Sequence, residues 1–199
     1  MGYNSEKQFE DDLVKMLSEQ KGWKDGILNY KTEKELIRNW ADILYENNRS
    51  IDRLGDYPLT DGEMEQILEQ IRALKTPLRL NGFINGGTVQ ITRDNEADEH
   101  NFGKLVSLKI FDRNEIAAGK TRYQIARQPK FSAKNDIYPD RRGDFCLLIN
   151  GMPVIHVELK KSMVPISEAQ YQICKYLHEG VFTGLFSLVQ NCSNPLSAS

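Results

Sequence analysis

The chain has 199 residues, 40% of them hydrophobic and 27% charged, with 26 basic residues against 28 acidic ones and a formal charge of −2. At roughly 150 residues per domain, that length predicts one compact domain with an extension. The near-balanced charge excludes a protein that coats nucleic acid through overall basicity, so any DNA contact must come from a local patch.

The first predicted element is a helix. Ser5 is its candidate N-cap with Gln8 completing a capping box, Phe9, Leu13, Met16 and Leu17 share one face, and Gly22 ends it. A second helix is predicted from Glu33 to Asn47, with Leu36, Ile37, Trp40, Ile43 and Leu44 as its apolar stripe. A third opens at Thr60 or Asp61 and carries Met64, Ile67, Leu68, Ile71 and Leu74 until Pro77 breaks it. From Leu78 to Gln128 the texture changes to short alternating runs with Asn-Gly and Gly-Gly punctuation: LRLNGFINGG, TVQITR, KLVSLKIF and RYQIAR. These read as strands and hairpins, and the charged tract 94–101 as a loop.

The segment DFCLLINGMPVIHVEL, from Asp144 to Leu159, carries the most information. Two apolar, β-branched runs flank Asn150-Gly151, the strongest short-range hairpin signal, and apolar residues on both faces predict central strands. A helix is predicted over 167–179 with Ala169, Ile173 and Leu177 inward, then a strand over 182–190 and a polar, frayed end. Strand, turn, strand, helix and strand after an initial helix predict an α/β domain with a mixed sheet. The helical stretch packs on one side of it.

Antiparallel pairing through the Asn150-Gly151 turn returns Asp144 beside Glu158 and Lys160, which share a face by strand alternation. Two carboxylates, with the Leu159 carbonyl beside them, make a half-shell for a hard divalent cation such as Mg²⁺, and a lysine there can orient an attacking water. Such a trio is also what a solvated rim or salt bridge looks like.

The run GDFCLLINGMPVIHVELKKS resembles the nuclease core of the restriction subunit of type I restriction-modification enzymes. That family belongs to the PD-(D/E)xK nucleases, in which an Asp opens a strand, the chain turns at Asn-Gly-x-Pro, and a strand ends in Glu-x-Lys. The resemblance implies a restriction-endonuclease-like core, a mixed central sheet flanked by helices, with an N-terminal helical insert. It implies Asp144 and Glu158 as metal ligands, Lys160 as the catalytic lysine, and Mg²⁺ as cofactor, with Mn²⁺ able to substitute. The family's Gln-x-x-x-Tyr motif falls on Gln172 and Tyr176, one helical turn apart, for DNA contact or positioning. The acid of the family's opening helix falls loosely on Glu10. Where the family has Pro before the Asp, this chain has Gly143. A literal Pro139-Asp140 lies upstream out of register with the turn, which makes Asp140 the fallback ligand.

The resemblance covers 1–190 as one endonuclease domain, with 33–76 as the insert, 124–190 as the catalytic core and 191–199 as a flexible tail. It implies a DNA substrate, cut to 5′-phosphate and 3′-hydroxyl ends, and modification (methyltransferase) and specificity subunits as partners. The ATP-driven translocase of that family is absent here. Ala118-Gly119-Lys120-Thr121 echoes a P-loop, but Asn114 stands where its leading glycine belongs, so no nucleotide site is expected. Two rivals remain open: a catalytically silent docking module for the methyltransferase complex, and a stand-alone nuclease acting on another nucleic acid.

Other polar residues have plainer readings. His156, inside an apolar strand, reads as a core or sheet-face histidine, Cys146 as core filling, and His100 and His178 form no constellation. Lys130, Lys134, Arg141 and Arg142 make a basic cluster before Asp144 that faces DNA or simply solvent, and Lys161 points away from Lys160 toward solvent or phosphate. Cys146, Cys174 and Cys192 are odd in number and far apart with no CxxC pair, which argues against a disulfide framework or zinc site and for the cytoplasm. No apolar run reaches the roughly 18 residues of a membrane span, and the polar start is unlike a secretory signal.

Overall fold

The computed structural model describes residues 6–50, 52–74, 76–85, 87–111, 121–131, 141–159, 182–189 and 191–193, together with 167–168, 170–171 and 174–175. Its helices are α1 (Glu6–Gln20), α2 (Glu33–Asn47), α3 (Asp61–Arg72) and α4 (Pro77–Asn85). Its strands are β1 (Ile27–Asn29), β2 (Thr88–Thr92), β3 (Leu105–Lys109), β4 (Tyr123–Arg127), β5 (Lys130–Phe131), β6 (Arg141–Arg142), β7 (Phe145–Ile149), β8 (Met152–Val157) and β9 (Asn191–Ser193). The result is a mixed α/β fold, as the element order predicted. Among the described residues, no helix is long and apolar enough to cross a membrane.

α2 and α3 occupy the predicted spans, and each opens on a capping box. Thr32 accepts from the Glu35 amide while Glu35 reaches back to the Thr32 amide, and Thr60 and Glu63 repeat the exchange. α1 buries Phe9, Leu13 and Val14 and leaves Met16 exposed, so its stripe lies one position round from the expected one. Gly22, at φ 83°, takes the left-handed position that ends the helix.

The expectation of strands from Leu78 fails, because 77–85 is helical. Thr76 caps the Arg79 amide, Pro77 sits at the first helical position where no donor is needed, and the Asn85 side chain bonds back to Asn81. Asn81-Gly82, read as a turn, lies within this helix. The strand expected over 182–190 is instead a 3₁₀ segment, Gly184–Leu188, which buries Leu185, Phe186 and Leu188. Gly184 has φ 56°, outside the extended region a strand requires. Asn191–Ser193, expected in a polar tail, forms β9, since a parallel ladder needs only backbone groups and tolerates polar residues at a sheet edge. The expected helix over 167–179 is described only at 167–168, 170–171 and 174–175, all helical and exposed. Ser5, Ala169, Ile173, Leu177 and the loop 112–120 lie outside the described residues.

Five strands form one mixed sheet in the order β1-β4-β7-β8-β9. β1 and β9 run parallel to β4 and β8, and the central pairs β4–β7 and β7–β8 are antiparallel. The hairpin turns at Asn150 (φ 50°) and Gly151 (φ 84°), the two left-handed residues a type I′ turn requires. A side chain at Gly151 would stand 2.9 Å from the Trp40 Cα, so glycine is also demanded by packing. Asn150 and Arg122 exchange hydrogen bonds (Asn150 N to Arg122 O 2.8 Å, Arg122 N to Asn150 Oδ1 2.9 Å), which fastens the turn to β4.

Alternation along the central strands supplies two cores. One face sets Ile125, Phe145, Leu147, Val157 and Leu159 against Phe9, Leu13 and Val14 of α1. The other sets Ala126, Cys146, Leu148 and Val154 against a larger core containing Trp40, Ile67 and Phe186. β2 and β3 form a separate two-stranded ribbon packed on α3. Its end is closed by a buried ion cluster in which Arg93 binds Glu63 at 2.6 Å and Asp98 at 2.9 Å. The tract 94–101 is a loop, as expected, and is anchored through Asp98, which is 1% exposed.

Candidate active site

The site lies where β4 and β8 end and β7 begins. The ladder pairs Phe145 with Val157 and Cys146 with His156, so one step further Asp144 stands opposite Glu158. Residues directly opposed in an antiparallel pair share a face, which puts both carboxylates on the face of Cys146 and His156. The hairpin thereby brings together the two acids that the sequence predicted. Asp144 Oδ2 accepts from the Leu159 amide at 2.5 Å, a charge-assisted bond across the strand ends that fixes its rotamer. On its other side, the Asp144 carbonyl accepts from the Gln128 amide at 2.7 Å.

Glu158 is 2% exposed. A carboxylate so deeply placed needs a partner, and His156 supplies one, with Nε2 at 3.2 Å from Glu158 Oε2. The other ring nitrogen, Nδ1, lies 3.6 Å from the Cys146 thiol. Because a carboxylate can only accept, a neutral imidazole carries its proton on Nε2, and Nδ1 then accepts from the thiol. Phe131 and Phe182 close round the ring edge-to-face, with centroids at 5.7 and 5.3 Å. His156 is therefore the satisfied, fully buried histidine that was expected, but it also holds one of the two acids. Its position two residues before Glu158 in a strand was the available signal, since i and i+2 share a face.

Gly143 is where this chain departs from the resembled motif, and the structure gives the reason. A Cβ on Gly143 would lie 2.5 Å from His156 Cε1 and 2.9 Å from Phe131 Cε2. The imidazole fills the room that a proline ring would need.

Glu10 reaches the same end of the sheet from α1 and is 4% exposed. Its oxygens accept from Arg127 Nε at 2.8 Å and Gln128 Nε2 at 3.2 Å, while Arg127 also holds Asp11. Gln128, in the left-handed region at φ 47°, thus bridges Glu10 and the Asp144 backbone. Neither Arg127 nor Gln128 was anticipated, being 117 and 118 residues from Glu10 in sequence. Among the described residues, no three of His, Cys, Asp and Glu converge closely enough to hold a metal ion. The carboxylates at the strand ends are those of Asp144 and Glu158. Two carboxylates beside a backbone carbonyl suit a hard cation that keeps several waters.

Arg142 is exposed beside this site, its guanidinium 5.7 Å from the Tyr30 ring centroid. Arg141 stands next to it in β6. Lys160, Lys161, Gln172, Tyr176, Asp140 and Lys134 lie outside the described residues.

A family model described as the type I restriction enzyme R protein N terminus matches residues 3–192. The type I restriction enzyme SauMSSORF170P endonuclease subunit of Staphylococcus aureus strain MSSA476 is 30% identical over 190 residues, 96% of this chain and 18% of its own length. The SauMW2ORF169P endonuclease subunit of strain MW2 matches at the same identity and coverage. So does the SsaAORF53P endonuclease subunit of Staphylococcus saprophyticus, again over 190 residues. The chain thus spans about 18% of the length of these curated relatives.

Proposed function

We propose, because this chain belongs to the family of type I restriction enzyme R protein N termini, that it is the Mg²⁺-dependent endodeoxyribonuclease unit of a restriction subunit. On this reading residues 1–190 form one restriction-endonuclease-like domain, with 33–76 as its helical insert. The observation that supports it best is the opposition of Asp144 and Glu158 at the mouth of the central hairpin, the arrangement that the family's motif requires.

Asp144 and Glu158 would hold the metal, with the Leu159 carbonyl beside them. A hard divalent cation held there would supply polarisation of the phosphodiester and a lowered pKa for the attacking water. The Leu159 amide keeps Asp144 in place, and the His156 imidazole does the same for Glu158. Lys160, two residues beyond Glu158, orients the water and offsets the charge that develops on the phosphorus oxygens. The water oxygen bonds to phosphorus, the P–O3′ bond breaks and the 3′-oxygen takes up a proton, leaving 5′-phosphate and 3′-hydroxyl ends. Arg141, Arg142 and Lys161 contact backbone phosphates, and Gln172 and Tyr176 position the strand. Target reading, methylation and ATP-driven translocation belong to the specificity and modification subunits and to the remainder of the restriction subunit.

The test is a calorimetric titration of this chain with Mn²⁺, beside Asp144→Ala and Glu158→Ala. Binding by the parent that both variants lose is expected. A parent that binds no Mn²⁺, with or without a short DNA duplex, refutes the reading and favours a docking module. In the assembled enzyme Lys160→Ala should abolish cleavage, and an active Lys160→Ala enzyme would remove the lysine from the mechanism.

A further inference from the structure

At the end of β1, Tyr30 has φ 55°, the left-handed region that an aromatic residue rarely adopts. The residue is 52% exposed, so core packing does not account for the conformation. Strained positions of this kind concentrate where a side chain must be presented. The hydrogen-bond ladder shows where Tyr30 stands. Its amide donates to the Arg127 carbonyl at 2.9 Å, the Lys130 amide donates to the Lys31 carbonyl at 2.9 Å, and the Gly143 amide donates to the Pro129 carbonyl at 3.3 Å. Tyr30 thus lies at the end of the sheet that carries Asp144 and Glu158.

Lys130 and Arg142 are directly opposed in the β5–β6 pair and both are exposed. The Arg142 guanidinium lies over the Tyr30 ring. Lys31, adjacent to Tyr30, pairs with Glu35 at 2.9 Å, and the exposed Lys130 and Arg142 add positive charge beside it. Arg142 precedes Asp144 by two residues, a chain reach of at most about 7 Å.

We infer that Tyr30 and Arg142 form a single contact for the DNA strand flanking the scissile phosphate, Arg142 neutralising one backbone phosphate and the Tyr30 ring carrying the sugar–base face of the adjoining nucleotide. This rests on the nuclease reading above and extends it to a residue outside its motif. An aromatic ring under a guanidinium fixes the plane of the cation and adds a sequence-tolerant stacking surface, which suits an enzyme part that does not read sequence.

The test is fluorescence anisotropy of a labelled DNA duplex with Ca²⁺ in place of Mg²⁺, measured over a range of salt concentrations. Arg142→Ala should weaken binding and reduce the slope of log K against log salt by about 0.9, one phosphate's worth. Tyr30→Gly should weaken binding roughly tenfold and leave the slope unchanged. Its thermal midpoint should hold or rise, because glycine adopts this backbone conformation freely. Tyr30→Asn, which also tolerates the left-handed region, should behave alike. Parent-like binding by both Tyr30 variants overturns the inference, as does a loss of affinity that follows a fall in thermal midpoint. A parent that binds no duplex overturns the nuclease reading itself, whereas failure of the Tyr30 result alone leaves that reading standing.

Discussion

Gly143→Ala tests whether the departure from the family motif is a packing consequence of His156. The new Cβ would fall 2.5 Å from His156 Cε1 and 2.9 Å from Phe131 Cε2, about 1 Å inside ordinary contact. The imidazole cannot swing aside without leaving Glu158 at 3.2 Å or Cys146 at 3.6 Å, and Phe131 itself packs on Phe186 with centroids 4.6 Å apart. Overpacking of this kind destabilises by about 1–3 kcal/mol. A gain of about 0.4–1 kcal/mol from the stiffer unfolded chain opposes it, because Gly143 is not among the left-handed residues. The net expectation is a loss of about 1–2 kcal/mol, or roughly 2–8 °C in thermal midpoint for a chain of this size. The measurement is urea unfolding of four proteins: parent, Gly143→Ala, His156→Val and the double variant. With valine at 156 the 2.5 Å contact is gone and Phe131 has room to shift, so the alanine should cost clearly less than in the parent. Additivity within about 0.5 kcal/mol would refute the reasoning. Mn²⁺ titration supplies a second readout, since displacing the imidazole disturbs Glu158. Loss of a hydrogen-bond partner behind a metal ligand costs about 10- to 100-fold in affinity.

Arg93→Met should destabilise by about 3–5 kcal/mol, because it leaves the buried carboxylates of Glu63 and Asp98 without their shared cation; a loss under about 1 kcal/mol in urea unfolding would contradict the assignment of that cluster as an anchor. Burial pushes the Asp98 carboxyl up, but hydrogen bonds from Arg93 and Asn101 outweigh it and hold the group below the usual carboxylate range. Its stabilisation is then complete above the unfolded value of about 3.9 and is lost as pH falls toward the lower folded value. Asp98→Asn should therefore flatten the fall in thermal midpoint below pH 4, and an unchanged acid limb would refute the linkage.

The parts of this fold that were legible in the sequence are those dictated by short-range chemistry. The α2 stripe around Trp40 and the Asn150-Gly151 turn both sit where local pattern put them, and the turn alone carried the opposition of Asp144 to Glu158. The misreadings share a cause. At Pro77 a residue that ends one helix begins the next, and Asn81-Gly82 is absorbed into α4 because its ends are capped from outside the dipeptide. Gly184 broke a run whose composition favoured a strand. The surroundings of Glu10 and the conformation of Tyr30 depend on partners more than a hundred residues away or on a single dihedral angle, and neither leaves a periodic trace.

The mixed sheet also has a temporal consequence. The bond from Leu159 to Asp144 spans 15 residues, whereas the one joining Tyr123 to Asp25 beside β1 spans 98. Loop closure over the longer span costs about 1.7 kcal/mol more in chain entropy, and as the chain is synthesised β1 has no partner until β4 emerges. The two carboxylates are thus brought together by the most local event in the sheet. Glu10 and Tyr30, held through contacts with Arg127, join only when the long closures are complete. A folding intermediate with the hairpin formed and β1 unpaired would carry both acids without the flanking residues proposed above to contact DNA, so on that proposal assembly of the sheet's outer strands is also the step that completes the substrate track.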